Sequence, residues 1–132
     1  NMNNKLDKIL AEISAGELFD KITILEIKKI KINDKNKLID VEKELSSLNE
    51  TVKKFIPDQK DVFKLIEELK EINLKLWDIE NGKRSAEKNK NFGKKFLELA
   101  RSVYKTNDER AKIKLEINLK LGSNIKEVKS HE

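Results

Sequence analysis

"LIDVEKELSSLNETVKKFIPDQKDVFKLIEELKEINLKLWDIE", residues 38–80, decides the fold. Leu38, Val41, Leu45, Leu48, Val52 and Phe55 alternate steps of three and four, which is the spacing of an apolar seam along one side of a helix. "IPDQ" at 56–59 interrupts it, because Pro57 lacks an amide N–H and restricts the residue before it. A matching seam follows at Val62, Leu65, Leu69, Ile72, Leu76 and Ile79. Two equal seams around a four-residue turn predict a long antiparallel, coiled-coil-like helical hairpin, with Trp77 in its core.

The chain extends this hairpin in both directions. Upstream, Ser14 stands three residues ahead of Glu17, the capping-box spacing, so a helix is expected from about residue 15 to Ile32. The hairpin with this helix covers about residues 15–82, with "NDKN" (33–36) as a break or kink. Leu6, Ile9, Leu10 and Ile13 have helical spacing and predict a short first helix. Downstream, residues 80–95 lose periodicity, carry two glycines and read as a basic loop. A C-terminal helix pair is expected over about 92–122, with Asn107 or Asp108 as the N-cap of its second member and Gly122 as its stop. Residues 111–121 alternate strictly, as a strand would, yet Ile113, Ile117 and Leu121 also lie four apart. Ala, Lys, Leu and Glu favour helix there. A polar tail, 123–132, closes the chain. The expectation is one all-α domain, 1–132, with the additional N- and C-terminal helices packed at one end.

Composition agrees and narrows the chemistry. Charged residues are 40% of the 132 and aromatics only 5%, the profile of helices that pair rather than of a β-sandwich. No cysteine is present, which excludes disulfides, thiolate metal sites and cysteine nucleophiles. The one histidine, His131, lies in the tail, so neither a Ser-His-Asp triad nor a multi-histidine metal site is available. A carboxylate-only Mg²⁺ site stays open, because its ligands are Asp and Glu oxygens. No cofactor is otherwise predicted. No apolar run approaches the roughly 18 residues that span a bilayer, and no signal peptide is visible. A cytoplasmic protein without membrane insertion is expected.

The net charge of +5 is uneven: residues 83–114 hold eleven Lys or Arg against four acids. Such asymmetry attracts nucleic acid, phosphorylated ligands or acidic lipid heads. All three arginines, Arg84, Arg101 and Arg110, fall in this stretch, and the guanidinium fork matches carboxylate or phosphate. If the hairpin turns near residue 58, position 20 lies opposite the region near 96, and the "YKTNDER" corner (104–110) comes close to "GELFDK" (16–21). Arg101, Tyr104, Asn107, Arg110 and Arg84 are therefore candidates for holding an anion at the start of the last helix. Arg101 paired with Glu17 or Asp20 is the competing structural explanation. Glu17 and Asp20 are the candidates for a metal.

Three separated blocks carry a resemblance: "ISAGELFDKITILEIK" (13–28), "INLKLWDIE" (72–80) and "FLELARSVYKTNDERAKIKLEIN" (96–118), with a closing "GSNIKEVKS" (122–130). Together they resemble a family of small bacterial and phage helical proteins of unknown function, over nearly the whole chain. Members of the family tend to sit near cell-surface saccharide genes or in phage genomes. The resemblance brings no assigned catalytic residue. This chain departs from the family pattern at Asn81, where Asp is usual after "IE", and at His131, where Tyr is usual.

Three classes of function follow. The first is a helical interaction module that pairs with itself, as a dimer, or with a protein partner. The second is a nucleotide or sugar-phosphate binding protein or enzyme. All-helical NTP pyrophosphatases hold Mg²⁺ with an ExxE block followed by an ExxD block; here "ELFD" (17–20) and Glu68 to Glu71 come in reversed order, a poor match. The third is a nucleic-acid binder using residues 83–114, which one aromatic in the basic loop, Phe92, supports weakly.

Overall fold

The computed structural model describes residues 5–128. Among the described residues there are four α-helices: α1 (Ala15–Lys31), α2 (Lys35–Phe55), α3 (Phe63–Lys88) and α4 (Lys94–Leu121), with a 3-10 turn at Lys60–Val62 leading into α3. The described residues contain no strand, and 77% of them are helical. The fold is all-α, and the stretch 111–121 that also alternates like a strand is helix.

Several helix ends have a local cause. Ser14 caps α1, its hydroxyl accepting from the Glu17 amide at 3.1 Å. Lys28, Lys29 and Lys31 occupy its last turn, where the helix dipole favours cations. "NDKN" is a true break, with Asp34 capping α2 through the amides of Asn36 and Lys37. Gly122 ends α4 with φ at +64°, the left-handed conformation that costs glycine nothing, while the Ser123 amide reaches back to the Asn118 carbonyl at 2.8 Å.

The pairing of the helices differs from the seam reading. Among the described residues α2 and α3 make no close backbone approach to each other; α1 packs against α2, α3 and α4 instead. Both seams feed one core with α1: Leu18, Phe19, Ile22 and Leu25 meet Val41, Leu45 and Val52 of α2, Val62, Leu65 and Leu69 around the start of α3, and Ile113 and Ile117 of α4. A 3–4 seam shows only that one face is buried, not what buries it. Phe55, at the end of the first seam, is left 68% exposed, with the neighbouring Lys54 ammonium 5.2 Å over its ring. Trp77 is half-buried and Asn81 exposed.

The antiparallel hairpin in this molecule is α3–α4, turning at residues 89–93. Residues 80–88, expected as loop, continue α3. Gly82 is tolerated inside that helix because α4 lies against it, a Cβ there standing 3.2 Å from Leu99 Cδ1. The expected C-terminal helix pair is one helix: α4 runs through Asn107 and Asp108 without a cap. Interior Asn and Asp cost a helix at most about 0.7 kcal/mol each, which the packing of the adjoining Thr106 and Arg110 offsets. The short helix expected at 6–13 is absent, and Leu6, Ile9 and Leu10 are exposed. A segment that short bears the full nucleation cost, and its apolar side chains find no cover in return. His131 lies outside the described residues.

At 1.5 Å per residue α1 is about 26 Å long, against about 39 and 42 Å for α3 and α4. It crosses the half of the hairpin farther from the turn, meeting Lys70 and Asn73 of α3 and Arg110, Lys114 and Asn118 of α4. The other half, from about Leu76 to Val103, stands out as a two-helix arm in which Ile79 alone among the apolar residues is buried.

Urea denaturation of two alanine variants tests this arrangement. Leu69→Ala, at a fully buried seam position, is expected to lose about 2–5 kcal/mol of stability. Phe55→Ala, at an exposed seam position, is expected to stay within about 0.5 kcal/mol of the parent.

Candidate functional site

Asp20 sits on the inner face of α1 and is 1% exposed. A carboxylate that far from water must be paired and hydrogen-bonded. Arg110 supplies the pairing from α4: its Nε donates to Oδ1 at 2.9 Å and its Nη2 to Oδ2, a two-point fork. Asn73 of α3 donates to the same Oδ1 at 2.9 Å and to Thr23 Oγ1 at 3.0 Å, and the Thr23 hydroxyl donates to the Asp20 carbonyl at 2.9 Å. One side chain thus ties α1 to α3 and α4. Asn107 joins from one turn away, accepting from Arg110 Nη1 at 3.4 Å.

A second cluster adjoins it. Lys114 donates to Glu17 at 2.7 Å, stands 3.7 Å from Asp20 and pairs with Glu127 of the closing segment at 3.2 Å. Glu17 therefore does not complete the capping box expected with Ser14; its carboxylate turns to Lys114. The amides of the first turn of α1 are closed as well. Ala15 donates to Ser123 Oγ at 3.1 Å and Gly16 to Asn118 Oδ1 at 2.6 Å. Gly16 lies so near α4 that a Cβ there would come 2.5 Å from the Lys114 carbonyl oxygen.

These contacts set the protonation states. Burial by itself would raise the Asp20 carboxyl; hydrogen bonds from Arg110 and Asn73, with the charges of Arg110 and Lys114, outweigh it and hold the group below the ordinary carboxylate range. The hydrogen bond to Asp20 raises Arg110 against the effect of its own burial. Burial would lower Lys114, but Glu17, Asp20 and Glu127 carry it above an ordinary lysine. Such a carboxylate is a weak base and such a lysine is not a nucleophile near neutral pH. The cluster's chemistry is mutual neutralisation.

The candidate residues from the sequence divide accordingly. Glu17, Asp20, Asn107 and Arg110 do come together. The two carboxylates proposed for a metal already receive Lys114, Arg110 and Asn73, and no group of three or more acidic or histidine side chains suited to a metal occurs among the described residues. Glu68 and Glu71 are exposed on α3, away from Asp20. Asp20 meets position 110 rather than the region near 96, because α1 crosses α3–α4 and is not the limb of a hairpin turning at 58.

Arg101, Tyr104 and Arg84 stay apart from the cluster and exposed. Nine residues are two and a half turns, so Arg101 lies about 13 Å along α4 from Arg110 and on the opposite face. Since α4 has no N-terminus at 107, the expected cradle for an anion is not formed there. Sequence reasoning missed Asn73, Thr23, Lys114, Asn118 and Ser123. Asn73 left a faint trace, an amide between the seam residues Ile72 and Leu76; the others look like ordinary surface residues of a lysine-rich chain. A groove of about 370 Å³ runs along α4 beside Lys114, between Ala111, Leu115, Asn118 and Val128.

Stability is expected to fall at both ends of the pH scale. The lowered Asp20 contributes stability that is present above its unfolded value near 3.9 and lost as pH drops through the folded one. The raised Lys114 contributes stability that is present below about 10.4 and lost as pH rises past it. Thermal unfolding from pH 2 to 11 checks both, and a flat acid limb in the parent contradicts the Asp20 pairing. Gly16→Ala is expected to destabilise by about 1–3 kcal/mol through overpacking, although alanine is the better helix former.

Comparison with known families places the chain. A family of unknown function (DUF6165) matches residues 9–132, and the chain belongs to that family. Comparisons with curated proteins and with solved structures find no match.

Proposed function

We propose that this chain is a helical interaction module that pairs with a second copy of itself and performs no chemistry of its own. The observation that carries this reading is a contrast: the buried polar groups neutralise one another, while large apolar side chains stay on the surface in a regular pattern. Leu97, Tyr104 and Ala111 recur every seven residues along the outer face of α4, and Leu115 follows four beyond. Leu97, Tyr104 and Leu115 are 58%, 60% and 43% exposed. A heptad stripe turned to solvent is the surface by which helices pair. The 370 Å³ groove between Ala111 and Leu115 continues it. Arg101 and Tyr104, candidates for an anion site, lie on this stripe and become contact residues.

Sedimentation equilibrium tests the reading. The mass is expected to rise with concentration from 15.4 kDa toward twice that value. Leu97→Glu with Tyr104→Glu, both at exposed positions, is expected to return the mass to the monomer while leaving the helical content unchanged. A parent chain that stays at 15.4 kDa at every concentration rules the reading out.

A further inference from the structure

The tip of the α3–α4 arm is built against local preference. Lys90 adopts φ of +55°, the only positive value at a non-glycine among the described residues, where Asn or Gly would be less strained. α4 opens at Gly93 without a side-chain cap and places Lys94 and Lys95 in its first turn, where the helix dipole disfavours cations. Lys88 and Lys90 precede them. None of these four lysines has an ion-pair partner among the described residues. At the turn itself Phe92 is 55% exposed, held edge-on against Phe96 with ring centres 5.3 Å apart. Conflicts with local rules that gather at one place mark a position kept for something other than stability.

We propose that this tip docks the protein onto an anionic membrane surface, the lysines meeting lipid headgroups and Phe92 entering the interface. The tip is a different surface from the α4 stripe, and docking there does not rest on self-association. Two features favour lipid over nucleic acid. The tip from Lys88 to Lys95 uses lysine only, a point charge suited to a diffuse negative surface, whereas arginine forks read individual phosphates. It also offers an apolar wedge and no array of aromatics for base stacking. The arm holds the tip away from the core, so docking needs no rearrangement of α1 or α2.

Vesicle flotation with the full chain decides the matter. Binding is expected to phosphatidylcholine vesicles containing phosphatidylglycerol, and not to phosphatidylcholine alone, and it is expected to weaken as salt rises. Each lysine near such a surface contributes about fivefold in affinity, so Lys90→Gln, Lys94→Gln and Lys95→Gln together are expected to lose on the order of a hundredfold. The charge-matched control Lys43→Gln, Lys53→Gln, Lys64→Gln, away from the tip, is expected to bind like the parent. Phe92→Ala is expected to bind more weakly while keeping the salt dependence. Equal losses in the two triple variants reduce the effect to net charge and overturn the proposal. No binding to the anionic vesicles overturns it too, and binding of a short oligonucleotide in their place points to nucleic acid.

Discussion

A carboxylate with almost no access to water governs this structure. Asp20 is buried, and an unpaired charge there is intolerable, so the fold must deliver Arg110 and Asn73 to it from two other helices. A buried ion pair often adds little net stability compared with apolar residues of the same volume. Its effect is on arrangement: α1 can slide along the hairpin only by breaking the fork. Gly16 enforces the same placement from the other side, since its backbone fits against Lys114 with no room for a side chain.

The rest follows from a short helix lying across two long ones. α1 is apolar around most of its circumference and covers one half of the α3–α4 hairpin, with α2 closing over it. The other half is an arm whose apolar residues shield one another only in part. The buried polar groups are engaged in fixing α1. The surface carries two further features, a stripe of apolar residues on α4 and a lysine-rich tip with a phenylalanine.

The sequence makes the class of fold legible and hides the pairing. The seams at 38–55 and 62–79, the Ser14 cap and the Gly122 stop are local signals, and each corresponds to a helix or a helix end. Which helix a seam faces is a matter of three dimensions, and the spacing of Leu45 or Leu69 cannot say whether α1 or another limb covers it. Gly82 and the Asn107–Asp108 pair are weak helix formers that stay helical in the packed molecule, Gly82 against Leu99 of α4 and Asn107 bonded to Arg110. Of the site, Glu17, Asp20 and Arg110 are visible as charge, and Asn107 as a polar break in the helical pattern. Asn73 leaves only the faint trace of an amide beside a seam, and Lys114 leaves none, because a lysine among many has no signature until the helices are placed.

A double-mutant cycle on Asp20 and Arg110, read by urea denaturation, tests the central claim most directly. Asp20→Ala alone is expected to cost about 3–5 kcal/mol, because Arg110 is left in a partly buried site without its partner. The double variant is expected to cost less than the two single ones added, with an interaction energy above about 1.5 kcal/mol. Costs that add to within about 0.5 kcal/mol would contradict this: the pair would then not fix α1, and apolar packing alone would hold the helix across the hairpin.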